Sequence, residues 1–272
     1  MFPQRCAAAL LPLLVLGLAG CPRVPLDFGK GGEARTPEEL LKRIAQAEAQ
    51  VVAIKGDGKL FVDAPQGKGS VALFVAVSHP ALIHIEQLDF FNRPQGVLVT
   101  DGAQFGLYDA KDGKYYRGPA SPQNLGRFLP VVLPPAELAA LMLGRAPRLP
   151  PESSDLSFDD QRGVYVLTLK RGGATQTLHV KPPSNRVVKS TVTGLAAYDV
   201  EFSDITDYGA LTLPRRALLS APSAKTTVEL TWKDITVNEP PDLTLFDLSP
   251  PEDIPVVEVD AQGVPREAPV QP

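Results

Sequence analysis

The chain has 272 residues, with 27 basic against 31 acidic side chains and a formal net charge of −4. Without residues 1–20, where Arg5 is the only charged residue, the balance is 26 against 31, or −5. A mildly acidic chain without basic clusters is not built to hold nucleic acid, and no later apolar run is long enough to cross a bilayer.

In chain order, the first element is an export signal. Arg5 supplies a positive start, Ala7 to Leu18 an apolar run, and Ala19 and Gly20 lead into Cys21. The run is too short for ~30 Å of hydrocarbon. Leu18-Ala19-Gly20-Cys21 resembles a bacterial lipobox, in which the cysteine carries lipid and becomes the first mature residue. An ordinary secretory signal with an incidental cysteine is the plainer alternative. Cys6 leaves with the signal, so Cys21 has no disulfide partner and its expected job is lipidation. Residues 1–20 read as signal peptide and 21–35 as a lipidated tether. The lipobox resemblance, with Pro22 next and no aspartate, implies the outer membrane, facing the periplasm.

Residues 36–251 read as one β domain. Thr36 is the expected N-cap of a helix, Pro37 its first residue and Glu39 the capping-box partner. Leu40, Leu41, Ile44, Ala47 and Val51 make an apolar stripe, and the helix is expected to end near Gln50. Alternation then places Val52, Ile54, Gly56, Gly58, Leu60 and Val62 on the inner face of a strand. Two inner glycines leave space that a packed helix or a ligand could fill. Further strands are expected at 71–77, 82–88, 96–101 and 103–109, with a hairpin at Asp112-Gly113 toward Tyr115 and Tyr116. Short helices follow Ser121 and Pro134, the second stopped by Gly144. Strands resume near 155–159, 163–170, 175–181, 186–193, 196–204, 211–220, 226–236 and 243–247. The fold class is mainly β with α (α+β): an unclosed antiparallel barrel of about eleven strands with a helical lid. Residues 252–272, rich in proline, read as a disordered tail.

Several of these segments together carry a family resemblance. Ile54–Val62, the loop Leu88–Gly96, Val99-Thr100-Asp101-Gly102, and Leu129-Pro130 through Leu138 to Leu143-Gly144-Arg145-Ala146-Pro147 resemble the lipoprotein receptor LolB. The ending Val237-Asn238 to Leu245-Phe246-Asp247-Leu248-Ser249-Pro250-Pro251 is similar to one common in the LolA/LolB superfamily. The chain departs in having a single tryptophan, Trp232, and a longer tail. The resemblance implies an unclosed barrel whose lid covers an apolar cavity for the acyl chains of lipoproteins. It also implies a LolA-like periplasmic carrier as partner, beside the membrane that holds the lipid anchor.

Catalytic patterns are weak, and no enzyme activity, cofactor or metal is expected. His79, His84 and His179 have no metal-ligand spacing, and there is no G-x-S-x-G. Gly67-Lys68-Gly69-Ser70-Val71-Ala72 formally matches a dinucleotide loop but enters a strand. Two apolar groups remain. Leu88, Phe90 and Phe91 precede a turn and, by the resemblance, form a membrane-contact loop; alternatively Phe90 caps the core and Phe91 lies flat on the surface. Leu125, Phe128, Leu129, Leu138, Leu141 and Met142, with Gly56 and Gly58, are the candidate acyl-cavity residues. Ordinary helix packing explains the same apolar faces. The competing reading of the whole chain is an envelope structural or sensor lipoprotein that uses the fold to bind a protein partner.

Overall fold

The structure, a computed structural model, describes residues 26–194 and 197–266. The signal segment and Cys21 lie outside the described residues, as do residues 267–272. Helix α1 (Pro37–Glu48) starts as its capping residues require: Thr36 Oγ1 accepts from the Glu39 N–H at 3.2 Å. The reciprocal bond is displaced by one residue, Glu39 Oε2 accepting from Arg35 N–H at 3.0 Å. Leu40 and Ile44 are fully buried, and the helix stops at Glu48, short of Gln50. Val52, assigned to the inner face, is 46% exposed because the strand starts one residue later.

Strands β1 (Ala53–Ala64), β2 (Gly67–Ser78), β3 (Leu82–Leu88), β4 (Pro94–Thr100), β5 (Gln104–Asp109) and β6 (Lys114–Pro119) form a meander. Helices α2 (Pro122–Leu125) and α3 (Pro135–Met142) interrupt it. A second meander follows: β7 (Ser153–Asp159), β8 (Val164–Arg171), β9 (Ala174–Lys181), β10 (Arg186–Thr193), β11 (Tyr198–Tyr208), β12 (Leu211–Ala221) and β13 (Thr226–Val237). β13 pairs with β1, which joins the two meanders. With β14 (Val256–Glu258), the described residues make one fourteen-stranded sheet whose edges, β14 and β7, do not meet. The barrel is unclosed, as expected, but has fourteen strands rather than about eleven. Short runs such as Lys114–Pro119 and Val256–Glu258 take their ladder bonds from neighbours and announce themselves poorly by pattern.

Three expectations near the chain ends are corrected. Residues 243–247 do not form a strand: Leu243–Phe246 is a 3₁₀ turn capped by Asp242, whose Oδ1 accepts from Thr244 N–H at 3.0 Å. The tail is not disordered between residues 252 and 266, because Val256–Glu258 adds to β6 in parallel and Val259 is 1% exposed. The described part of the tether is docked rather than free. Phe28 packs on Phe158 and Tyr165, and the Ala34 N–H donates to Tyr165 Oη at 2.8 Å.

The core has two parts. One joins β1–β6 and β13 to α2 and α3, through Leu73, Ile85, Leu98, Phe105, Leu125, Leu138 and Trp232. The other joins α1 to β8–β11, through Leu40, Ile44, Tyr165, Leu167, Leu178 and Phe202. Alternating strand direction also gives the sheet two ends. The β1–β2, β3–β4 and β5–β6 turns share one end with the β8–β9 and β12–β13 turns. The docked tether sits at the opposite end, with Leu26 beside Gly163 in the β7–β8 turn.

Candidate functional site

At the seam between the two cores lies a cavity with an almost wholly apolar wall. Leu129 and Val131 from the α2–α3 connection and Leu138, Leu141 and Met142 from α3 form its roof; Leu60, Leu73, Leu219 and Leu230 are among its floor residues. Its volume is about 50 Å³. A cavity of that size and character stays dry and is too small for a ligand, since ligand pockets hold roughly 300–1,000 Å³. Two wider depressions adjoin it. One, about 540 Å³, lies between Val62, Val71 and Phe128, and the other, about 210 Å³, lies between Val132, Tyr198 and Ala221. Pro130 borders both, Leu60 is shared with the first and Leu219 with the second. Segment 129–132 therefore runs between three adjoining spaces: the apolar cavity, a larger depression that also carries Gln66, Ser70 and Arg127, and a smaller one that also carries Ser223 and Thr226.

The physical chemistry of the roof follows from its sequence. Ser121 Oγ accepts from Asn124 N–H at 3.2 Å and starts α2; Pro134 and Pro135 start α3. The nine residues between α2 and α3 (126–134) form no helix or strand, and among its large apolar residues Leu129 and Leu133 are buried while Val132 is 68% exposed. Such a connection is held by side-chain burial and by local backbone bonds to nearby carbonyls, so it can move without breaking a regular ladder. Burial raises the Glu137 carboxyl above the usual carboxylate range. It also pushes the Tyr198 phenol up to about 12, with a smaller contribution from Glu137.

The proposed cavity residues separate into four groups. Leu129, Leu138, Leu141 and Met142 line the cavity. Phe128 lines the larger adjoining depression, and Leu125 is packed in the core, 1% exposed, away from the cavity wall. Gly56 and Gly58 are not cavity residues, and neither a helix nor a ligand fills their space. A bulge in the β1–β13 pairing brings Asp234 O within 2.1 Å of where a Gly56 Cβ would lie, at φ +153°. At Gly58 the same position is 3.3 Å from Leu230 and 3.6 Å from Trp232. The neighbouring strand needs the room. Missed by sequence reasoning were Val200, Leu218 and Val228, which line the cavity from the second meander.

The β3–β4 turn stands on the same end of the sheet as the open depressions. Phe90 is 95% and Phe91 72% exposed, so the reading in which Phe90 caps the core is wrong. The rings meet edge to face at 5.5 Å, and the Arg93 guanidinium lies 5.3 Å from the Phe91 centroid. Asp89 makes the turn rigid. Its Oδ1 accepts from the N–H groups of Phe91 at 2.8 Å and Arg93 at 2.9 Å, and its Oδ2 accepts from Arg93 Nε at 2.8 Å. The Arg93 backbone bond, then its side-chain bond, hold the Asp89 carboxyl below the usual range. Leu88, behind them, is half-buried and carries no exposed surface like that of the two rings.

The histidines have local explanations. His84 is 7% exposed, with Nδ1 2.6 Å from Leu245 O and Nε2 2.8 Å from Glu86 Oε1. Burial lowers the His179 imidazole. His79 Nδ1 lies 3.3 Å from the Arg145 guanidinium.

No family model matches the chain, and no curated protein is similar to it in sequence. Solved structures are similar in fold. A LolA superfamily protein from Nitrosomonas europaea has a TM-score of 0.51 at 13% identity, over 79% of this chain and 98% of its own. A domain from Vibrio parahaemolyticus whose suggested role is outer-membrane lipoprotein sorting has a TM-score of 0.51 at 10% identity, over 78% and 97%. A DUF1329 family protein from Desulfovibrio piger has a TM-score of 0.55 at 10% identity, over 78% and 95%. The chain has the LolA-like fold.

Proposed function

We propose that this chain is a lipid-anchored envelope protein that takes acyl chains into the groove under segment 129–132 and assists lipoprotein localisation. The observation that carries the reading is an apolar cavity roofed by an irregular segment and adjoined by a wider depression on the end of the sheet that bears Phe90 and Phe91. The LolA-like fold and the lipoprotein-sorting suggestion for the Vibrio domain support it. Anchorage at Cys21, placement in the outer membrane and exchange with a LolA-like carrier belong to the same proposal. So does the absence of covalent chemistry.

The energetics set a requirement on the ligand. Exposing two apolar residues such as Leu129 and Val131 costs about 3–6 kcal/mol. Each buried methylene returns about 0.8 kcal/mol, so roughly four to eight methylenes are needed to displace the segment. Transfer needs no nucleotide if the receiving site binds the chain better than the donor. Phe90 and Phe91 are then the contact that brings the mouth against an apolar surface. Two phenylalanines supply about 3–6 kcal/mol, which gives weak, reversible attachment.

The test is binding of an environment-sensitive fatty acid to the mature chain with Cys21→Ser, as a function of chain length. Saturable binding that appears only for long chains supports the groove. A folded protein that binds no chain of any length overturns it. In that case the alternative, a protein-binding envelope module, stands; the small volume of the apolar cavity is the observation in its favour.

A further inference from the structure

After β13 the chain does not leave the molecule. Asn238 ties it to the start of β1, its Oδ1 accepting from Val52 N–H at 2.8 Å. The chain then crosses the outer face of the sheet, where Phe246 packs with Ala76 and Val99 and Tyr115 Oη donates to Leu248 O at 2.8 Å. It next rounds the open edge: Tyr115 N–H donates to Pro255 O at 2.9 Å, and Val256–Glu258 runs parallel to β6. Beyond the edge Val259 enters the first core. Residues 260–263 form a turn in which Asp260 Oδ1 accepts from Gln262 N–H and Val264 N–H, both at 2.9 Å.

That turn ends against α2, at the entry to the groove's roof. Asn124, fully buried, donates from Nδ2 to Asp260 O at 2.9 Å and to Pro119 O at 2.8 Å. Arg127 donates to Gly263 O and lies 5.2 Å over the Tyr116 ring. Arg127 is two residues before Leu129, the first roof residue of the cavity. The other end of the roof is set by Pro134 and Pro135 alone, without a side-chain cap.

We propose that residues 254–266 are a latch on the roof: their seat on Asn124 and Arg127 fixes the end about which segment 126–133 opens. A ligand or partner that lifts this C-terminal strap from α2 opens the groove, and one that binds the strap in place keeps it shut. The inference builds on the groove described above, but its first test needs no ligand.

Hydrogen exchange of the mature chain with Cys21→Ser, read by mass spectrometry, follows the amides of residues 126–129 and 131. These are held by bonds to Pro122, Asn124, Leu125 and Leu129 carbonyls. Arg127→Ala removes one charge-assisted bond and one ring contact, so exchange there should rise roughly tenfold while β8–β10 keep their protection. A chain ending at Pro251 should show a larger rise at the same residues. If that truncation does not fold, Arg127→Ala alone decides. Unchanged exchange at 126–129 and 131 in Arg127→Ala, or an equal rise in β8–β10, overturns the latch. The association rate of a fluorescent fatty acid is then measured on the same protein. Faster exchange without fatty-acid binding retains the latch and overturns the acyl reading.

Discussion

Two aromatic clusters of similar geometry have opposite fates in this molecule. Phe28, Phe158 and Tyr165 meet at 5.2–5.8 Å at the tether end of the sheet, where Tyr165 is 1% exposed. Phe90 and Phe91 meet at 5.5 Å at the groove end and are almost wholly in water. The first cluster lies between β7, β8 and the docked tether, and its burial contributes to stability. The second is held out by a turn whose order comes from Asp89 and Arg93, so its apolar area contributes nothing to folding. An aromatic pair kept exposed by a rigid turn is a surface for something else.

The comparison is broken most severely by truncating the buried cluster. Tyr165→Ala should cost about 3–5 kcal/mol and lower the melting temperature by many degrees. Tyr165→Phe should cost about 1 kcal/mol, the bond to Ala34 N–H, in the same thermal measurement. Phe91→Glu at the other end should change stability by no more than about 0.5 kcal/mol and still abolish attachment to liposomes by sedimentation. A large thermal loss in Phe91→Glu would mean that the two clusters are equivalent after all.

The smallest effect concerns pH. The folded-state pKa of Asp89 lies below its unfolded value of about 3.9, so its contribution is present above that value and fades as pH falls through the folded pKa. Amide exchange or NMR line shape at residues 89–93 should therefore report loosening of the turn only below about pH 4. Loosening near neutral pH would contradict the role given to Asp89.

Much of the fold is legible in the residues. Thr36 and Glu39 mark α1, Gly144 marks the end of α3, and Asp112-Gly113 marks a hairpin, because each acts through bonds to its own neighbours. What is illegible depends on distant chain. Gly56 and Gly58 look like empty space until β13 is seen pressing on them. Residues 252–266 look disordered because their apolar residues are few, yet an unpaired edge at β6 supplies the bonds that their composition does not. At the groove, the apolar faces of α3 pointed to Leu138, Leu141 and Met142, whereas the opposite wall alternates in ordinary strands and carries no signal of its own.

The central claim is that an acyl chain enters between segment 129–132 and the strands beneath it. Photo-crosslinking with a diazirine-bearing long-chain fatty acid, followed by peptide mapping, tests it most directly. Saturable labelling of peptides that contain Leu60, Leu129, Val131, Met142 and Leu219, competed by unlabelled fatty acid, is the predicted result. Labelling confined to the exposed Phe90–Phe91 turn, or labelling that does not saturate, would contradict the claim.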